Sequence, residues 1–213
     1  QTAHHRADDE AQPEHRAQHA EALGPVLRRG DIGHIGVGDS RVGLHGAADQ
    51  VTLMAYDAGV VLASAGGTRE APLADFYHGY KKTVRRSDEL ITAIRIPVPA
   101  PGTIEYYRKV GTRKFQAISK VLLAGILVLG KKKEVEKIRL VYASVMPYTY
   151  RAKKTECVLQ GRPLTAAAVA EAVHTLRKEL KPIDDIRSTA AYRITVAGNL
   201  LEEFLRITNF PDR

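Results

Sequence analysis

The stretch Ser119-Lys-Val-Leu-Leu-Ala-Gly-Ile-Leu-Val-Leu129 decides the fold class. Its apolar run, Val121 to Leu129, is far shorter than the roughly 20 residues a membrane span needs, so no span is expected there. Its Val, Leu and Ile content reads as a buried strand. Two more strand patterns flank it, Ile104 to Val110 and Ile138 to Val145, the latter joined to it by the charged turn Gly130 to Glu136, so short antiparallel connections are expected. Helical patterns follow at Arg151 to Leu159, Thr165 to Glu179 and Ser188 to Leu205. In the last, Ile194, Ala197, Leu201, Phe204 and Leu205 form one stripe, and Ser188 is the expected N-cap. Strands followed by helices predict an α+β sandwich, an antiparallel sheet covered on one face by three helices.

Working back along the chain, Val60 to Ala63 reads as a short strand and Gly66-Gly67 as a hairpin turn. Within Glu89 to Pro97, strict alternation would put Leu90, Thr92, Ile94 and Ile96 on one face of a strand. This looks like the end of an α+β unit. Pro97, Pro99, Pro101 and Gly102 then make a stiff linker and the expected boundary. The organisation read from these patterns is a polar tail over 1–22, one unit over 23–100 and a second over 101–213.

Gln1 to Ala20 is rich in His, Ala, Gln and mixed charge, too polar to offset the entropy of ordering, so disorder is expected. His15 and His19 are four apart, but no cysteine or carboxylate at ligand spacing joins them, and the tail reads as solvated with no metal site. From Gly24 to Gly46 glycines crowd the chain. Gly30 and Gly33 belong to a spacing that lets backbone amides approach a phosphate, although such stretches also occur as plain loops.

Composition narrows the function classes. A chain of 213 residues with 44% hydrophobic content can build a packed core. Cys157 is the lone cysteine, which excludes an internal disulfide framework, and no positive-then-apolar leader pattern is present, so a cytoplasmic location is expected. The net charge of +8 raises nucleic-acid binding, but Lys and Arg fall in separate short groups such as Lys81-Lys82, Arg85-Arg86 and Lys131 to Lys133. Solvated surface or docking onto an acidic partner is the better reading of that charge.

Longer motifs add a family. Tyr107-Arg-Lys-Val-Gly-Thr-Arg-Lys-Phe-Gln-Ala-Ile-Ser-Lys-Val121 resembles the opening of the C-terminal domain of the FAD-binding subunits of molybdenum hydroxylases, the xanthine and carbon monoxide dehydrogenase type. Pro182-Ile-Asp-Asp-Ile-Arg-Ser-Thr-Ala-Ala-Tyr-Arg193 is similar to the segment leading into that domain's last helix. Upstream, Val61-Leu-Ala-Ser-Ala-Gly-Gly-Thr-Arg69, Asp75-Phe76 and Asp88-Glu-Leu-Ile-Thr-Ala-Ile-Arg-Ile-Pro97 resemble the end of the family's FAD-binding middle domain.

The resemblance implies an electron-transfer subunit carrying FAD, working with a molybdenum-cofactor large subunit and a 2Fe-2S small subunit, and delivering electrons to NAD or another acceptor. It also implies flavin contacts at Ile91 and Lys109 and an acceptor-access loop at Arg113 and Lys114. By spacing alone Lys109 is a surface lysine at a strand end. The family's early pyrophosphate loop has no counterpart here, so the chain is expected to be N-terminally incomplete. Asp31-Ile-Gly-His-Ile35 resembles a degraded copy of a second family loop, of the form Thr-Ile-Gly-Gly-Asn followed by an aspartate, and the resemblance makes Asp49 a shifted counterpart of that aspartate. A cofactor-free docking module or a remnant of such a subunit is the competing expectation. Asp184 and Asp185, adjacent and just before a helix, read as capping groups rather than a catalytic pair.

Overall fold

A computed structural model describes residues 47–79, 82–113 and 118–209. The expected polar tail over 1–22, Gly30, Gly33 and Lys114 lie outside them. In chain order the elements are α1 (Ala47–Ala55), β1 (Gly59–Ser64), β2 (Gly67–Pro72), α2 (Leu73–Phe76), β3 (Tyr77–Gly79), β4 (Lys82–Thr83) and β5 (Leu90–Arg95). They continue with β6 (Ile104–Gly111), β7 (Ser119–Leu129), β8 (Val135–Ala143), β9 (Tyr150–Arg151), α3 (Lys153–Leu159), α4 (Ala166–Glu179) and α5 (Ala190–Asn209). The fold is α+β. A four-stranded sheet of order β6-β7-β8-β9 is antiparallel throughout.

Both faces of β7 are buried, which explains its unbroken apolar run. Val121, Leu123 and Leu127 meet the helices, in one core with Leu176, Ala197, Leu201 and Phe204. Leu122, Ala124 and Ile126, pointing the other way, share a second core with Val51, Met54, Val60, Leu62, Phe76 and Ile94. The N-terminal layer therefore covers the sheet face that the helices leave open. That layer holds a three-stranded sheet, β2-β1-β5.

Several boundaries differ from the periodic expectation, each for a local reason. β8 begins at Val135 rather than Ile138, because the turn closes early: the Gly130 N–H donates to Glu134 O at 2.8 Å, with Lys133 at φ 59. It ends at Ala143, where Ser144 takes φ 64 and turns the chain. Arg151 pairs in β9 with Val141 instead of opening α3. The cap of α5 is Thr189, whose hydroxyl accepts from the Tyr192 N–H at 3.2 Å, rather than Ser188.

Leu90 does not share a face with Ile94. The register between β1 and β5 shifts between Val61 and Leu62, where Thr92 is the extra residue. This bulge turns Ile91 inward with Ile94 and Ile96 and leaves Leu90 64% exposed.

Candidate functional site

Helix α1 stops in a Schellman turn. The Ala58 N–H donates to Leu53 O and the Asp57 N–H to Met54 O, with Asp57 at φ 57, where glycine is the usual residue. A carboxylate at this position reaches the second sheet. Arg139 Nε donates to both Asp57 oxygens at 2.8 and 2.9 Å, Arg151 Nη1 to Oδ1 at 2.9 Å, and Lys137 Nζ lies 3.1 Å from Oδ2. Burial pushes the Asp57 carboxyl up. The hydrogen bonds from Arg139 and Lys137, with the charges of Arg139 and Arg151, outweigh that and hold it below the usual carboxylate range.

Arg151 also forks onto Glu156, whose Oε1 accepts the Leu140 N–H at 2.8 Å, so the cluster is locked into β8. Thr149 Oγ1 donates to Gln50 Oε1 at 2.8 Å, and Lys153 pairs with Asp75 at 3.0 Å, two further ties between the layers. Buried Glu179 accepts from the Lys154 and Thr155 N–H groups and thereby caps α3.

Strand alternation sets the positions that the family resemblance singles out. In β6, Tyr107 pairs with Ala124 and Lys109 with Leu122, so both fall on the sheet face that carries the N-terminal layer. Tyr107 packs on the core that also takes Ile91. Its phenol is raised by burial and then by the charge of Asp49, an exposed residue in the first turn of α1. Asp49, Tyr107 and Lys109 thus border one side of the junction, with Ile91 in the adjoining core. Lys109 is exposed, and Arg113, exposed too, follows the end of β6.

Lys109 offers an exposed cation on this sheet face, and β5 is, among the described residues, an edge strand with outward N–H and C=O groups. The phosphate-side candidates Gly30 and Gly33 fall outside the described residues. No group of three His, Cys, Asp or Glu suited to a metal occurs among the described residues, and no helix there is long and apolar enough to cross a membrane.

Two other polar clusters fix loops. Arg69 donates to both oxygens of buried Glu89, at 2.6 and 2.8 Å, and the Arg86 N–H adds a third bond at 2.7 Å. The Arg69 hydrogen bond leads in bringing the Glu89 carboxyl down to about 2. Arg193 is fully buried and donates to the carbonyls of Lys120 and Ser144 and, at 2.6 Å, to Asp185. Asp184 accepts the Ala190 N–H at 2.7 Å. The two aspartates are therefore structural. Sequence reading did not pick out Asp57, Glu156 or Glu179. The available signal was Arg139, a cation on the strand face that also carries Val141 and Ala143, which requires a carboxylate opposite.

Two family models match in tandem: the FAD binding domain in molybdopterin dehydrogenase over residues 42–99, and the CO dehydrogenase flavoprotein C-terminal domain over 105–208. The glyceraldehyde dehydrogenase medium chain of Sulfolobus acidocaldarius is 33% identical over 144 residues, 67% of this chain and 50% of that protein. The carbon monoxide dehydrogenase medium chain of Hydrogenophaga pseudoflava is 29% identical over 182 residues, 84% of this chain and 61% of that one. A solved structure of the Hydrogenophaga carbon monoxide dehydrogenase superposes with a TM-score of 0.69 at 28% identity, covering 74% of this chain and 54% of its counterpart. The chain spans about half the length of the curated medium chains it matches. Over these matched residues the chain belongs to the family of FAD-binding medium subunits of molybdenum hydroxylases.

Proposed function

We propose that the chain is an electron-transfer subunit of a cytoplasmic molybdenum hydroxylase, taking electrons from iron-sulfur clusters and passing them through FAD to NAD or another acceptor. It would assemble with a molybdenum-cofactor large subunit and a 2Fe-2S small subunit, with residues 23–100 as the flavin-side part and 101–213 as the C-terminal domain. The observation that carries this reading is the tandem family match combined with the position of Lys109 on the sheet face that meets the N-terminal layer.

When bound, FAD supplies the redox chemistry, including the change between two-electron and one-electron steps. Lys109 contributes a positive charge beside the ring, favouring the electron-rich form. Ile91 supports the ring through strand backbone, with its side chain set in the second core. Asp49, Gly30 and Gly33 are the phosphate-side candidates, and Arg113 and Lys114 border the route by which an acceptor approaches.

The test starts with the visible spectrum of the purified chain before and after FAD is added, with bound flavin quantified after denaturation. In the flavin-bound protein, Lys109→Ala should lower the flavin potential by about 30 mV, the two-electron equivalent of roughly 1.4 kcal/mol, and slow acceptor reduction. An unchanged potential with unchanged acceptor kinetics removes Lys109 from the role. A chain that takes up no FAD favours the second reading, a cofactor-free docking module or remnant.

A further inference from the structure

The strand that carries Lys109 is also an edge of its sheet. Among the described residues β6 pairs on one side only, with β7, and Ile104 to Val110 runs in unbroken register before the shift at Gly111. Alternate residues of such a strand turn their N–H and C=O groups outward, a row that a further strand can satisfy. The side chains of β6 mirror one another about Tyr107. Tyr106 is matched by Arg108, Glu105 by Lys109 and Ile104 by Val110. Pleating places Glu105, Tyr107 and Lys109 on the face that carries the N-terminal layer, with Tyr107 packed on that layer's core. Ile104, Tyr106 and Val110 lie on the other face, against the core shared with the helices. Glu105 and Lys109 are both exposed, and Lys109 makes no ion pair among the described residues.

We infer that β6 is a self-pairing edge, on which a second copy of this chain adds its own β6 antiparallel about a twofold axis at Tyr107, joining two sheets into one. In that register each residue faces the one equally far from Tyr107. Glu105 opposes the partner's Lys109, and the twofold repeats the pair; Tyr106 opposes the partner's Arg108, and Ile104 the partner's Val110. Opposite residues of an antiparallel pair share a face, so each of these contacts forms on a single side of the sheet. Other registers are poorer. A slip of one residue sets each side chain against one on the opposite face. A slip of two in one direction brings Arg108 against its own copy, and in the other direction it loses both charge pairs. The axis is perpendicular to the sheet, so helical layer continues beside helical layer. A copy is favoured over a foreign strand because this edge carries both halves of its own complement. An ammonium has three N–H donors, so a carboxylate beside Lys109 leaves others for a second acceptor, and the inference neither rests on the electron-transfer reading nor excludes it. A contact limited to one strand pair is at the small end of protein interfaces, which sets the expected Kd on the order of 10 μM.

The experiment is sedimentation velocity of the full chain from about 1 to about 300 μM, a range that brackets that constant. The wild type should pass from monomer to dimer, with the β6 amides gaining hydrogen-exchange protection as concentration rises. Lys109→Glu and Glu105→Lys each set like charges face to face at both contacts and should weaken the dimer by at least about tenfold. Glu105 also accepts from the Tyr56 phenol, so Lys109→Glu is the variant expected to leave thermal melting of the dilute monomer unchanged. An equimolar mixture of the two single variants restores both charge pairs across the axis and should form a heterodimer of wild-type affinity. A wild-type chain that stays monomeric overturns the inference. So does a dimer that survives Lys109→Glu, or a mixture that fails to associate. Flavin uptake is read separately in the visible spectrum, so failure here leaves the electron-transfer reading standing.

Discussion

Gly125 sits in the middle of β7, on the face that meets α5, and is the position where one methyl group should do most damage. A Cβ built there would lie 2.5, 2.8 and 2.9 Å from ring carbons of Phe204. Ordinary carbon contacts are about 3.5–4.0 Å, so the ring would have to retreat by roughly 1 Å. It has little room: Phe204 is fully buried, and Tyr106 stacks on it with centroids 5.0 Å apart. Overpacking of this kind costs about 1–3 kcal/mol. The gain from replacing glycine inside a strand, about 0.5–1 kcal/mol, offsets only part of it. Gly125→Ala should therefore destabilise by about 1–2 kcal/mol net, read as a lower urea midpoint at unchanged m and a Tm roughly 2–8 °C lower. In a Gly125→Ala, Phe204→Leu double variant the smaller side chain should accept the methyl, and the two losses should fall short of additive by about 1 kcal/mol. A Gly125→Ala protein as stable as the wild type would refute the close strand–helix packing, and strict additivity would show that Phe204 is not the group displaced.

The remaining predictions concern charge. Asp57→Asn keeps the side-chain shape and tolerance for positive φ but leaves Lys137, Arg139 and Arg151 without their shared anion, and should cost about 2–3 kcal/mol, measured by urea unfolding. The Arg69 guanidinium and the Arg86 N–H hold the Glu89 carboxyl down at about 2, below its ordinary value of 4.5. Its contribution is thus complete above about pH 4.5 and lost as pH falls toward 2, so acid unfolding should be shallower over that window in Glu89→Gln than in the wild type; parallel curves would exclude the pair as an acid-sensitive tie.

The C-terminal architecture was legible because each element repeats one physical requirement along consecutive residues. β7 is apolar on both faces and could be bounded at Ser119 and Leu129 from sequence, and the stripe on α5 lies where 3.6-residue periodicity puts it. Interruptions were less legible. The bulge at Thr92 reverses the face of Leu90, and nothing in Leu-Ile-Thr-Ala-Ile announces an inserted residue, because every position there suits a strand. The Asp57 cluster was invisible for another reason. Arg151 is 94 residues from Asp57, and an ion pair at that separation leaves no local pattern. Ile91 and Lys109 became candidates through the family motif alone, since β-branched strand residues and strand-end lysines are common in any sheet.

The second core connects these observations. Leu122, Ala124, Ile126, Val141 and Ala143 make the far face of the sheet as apolar as the helix-bearing one, so it must be covered. The cover is α1 with the β1 and β5 strands, the layer that carries Asp49 and Ile91, while Lys109 belongs to the sheet beneath it. The spacing of these residues is consequently set by core packing. Apolar packing alone tolerates sliding, whereas Arg139 and Arg151 on a single Asp57 carboxylate do not. The ion cluster is best understood as the register pin of the junction. That accounts for an aspartate occupying a positive-φ position that glycine would fill without strain.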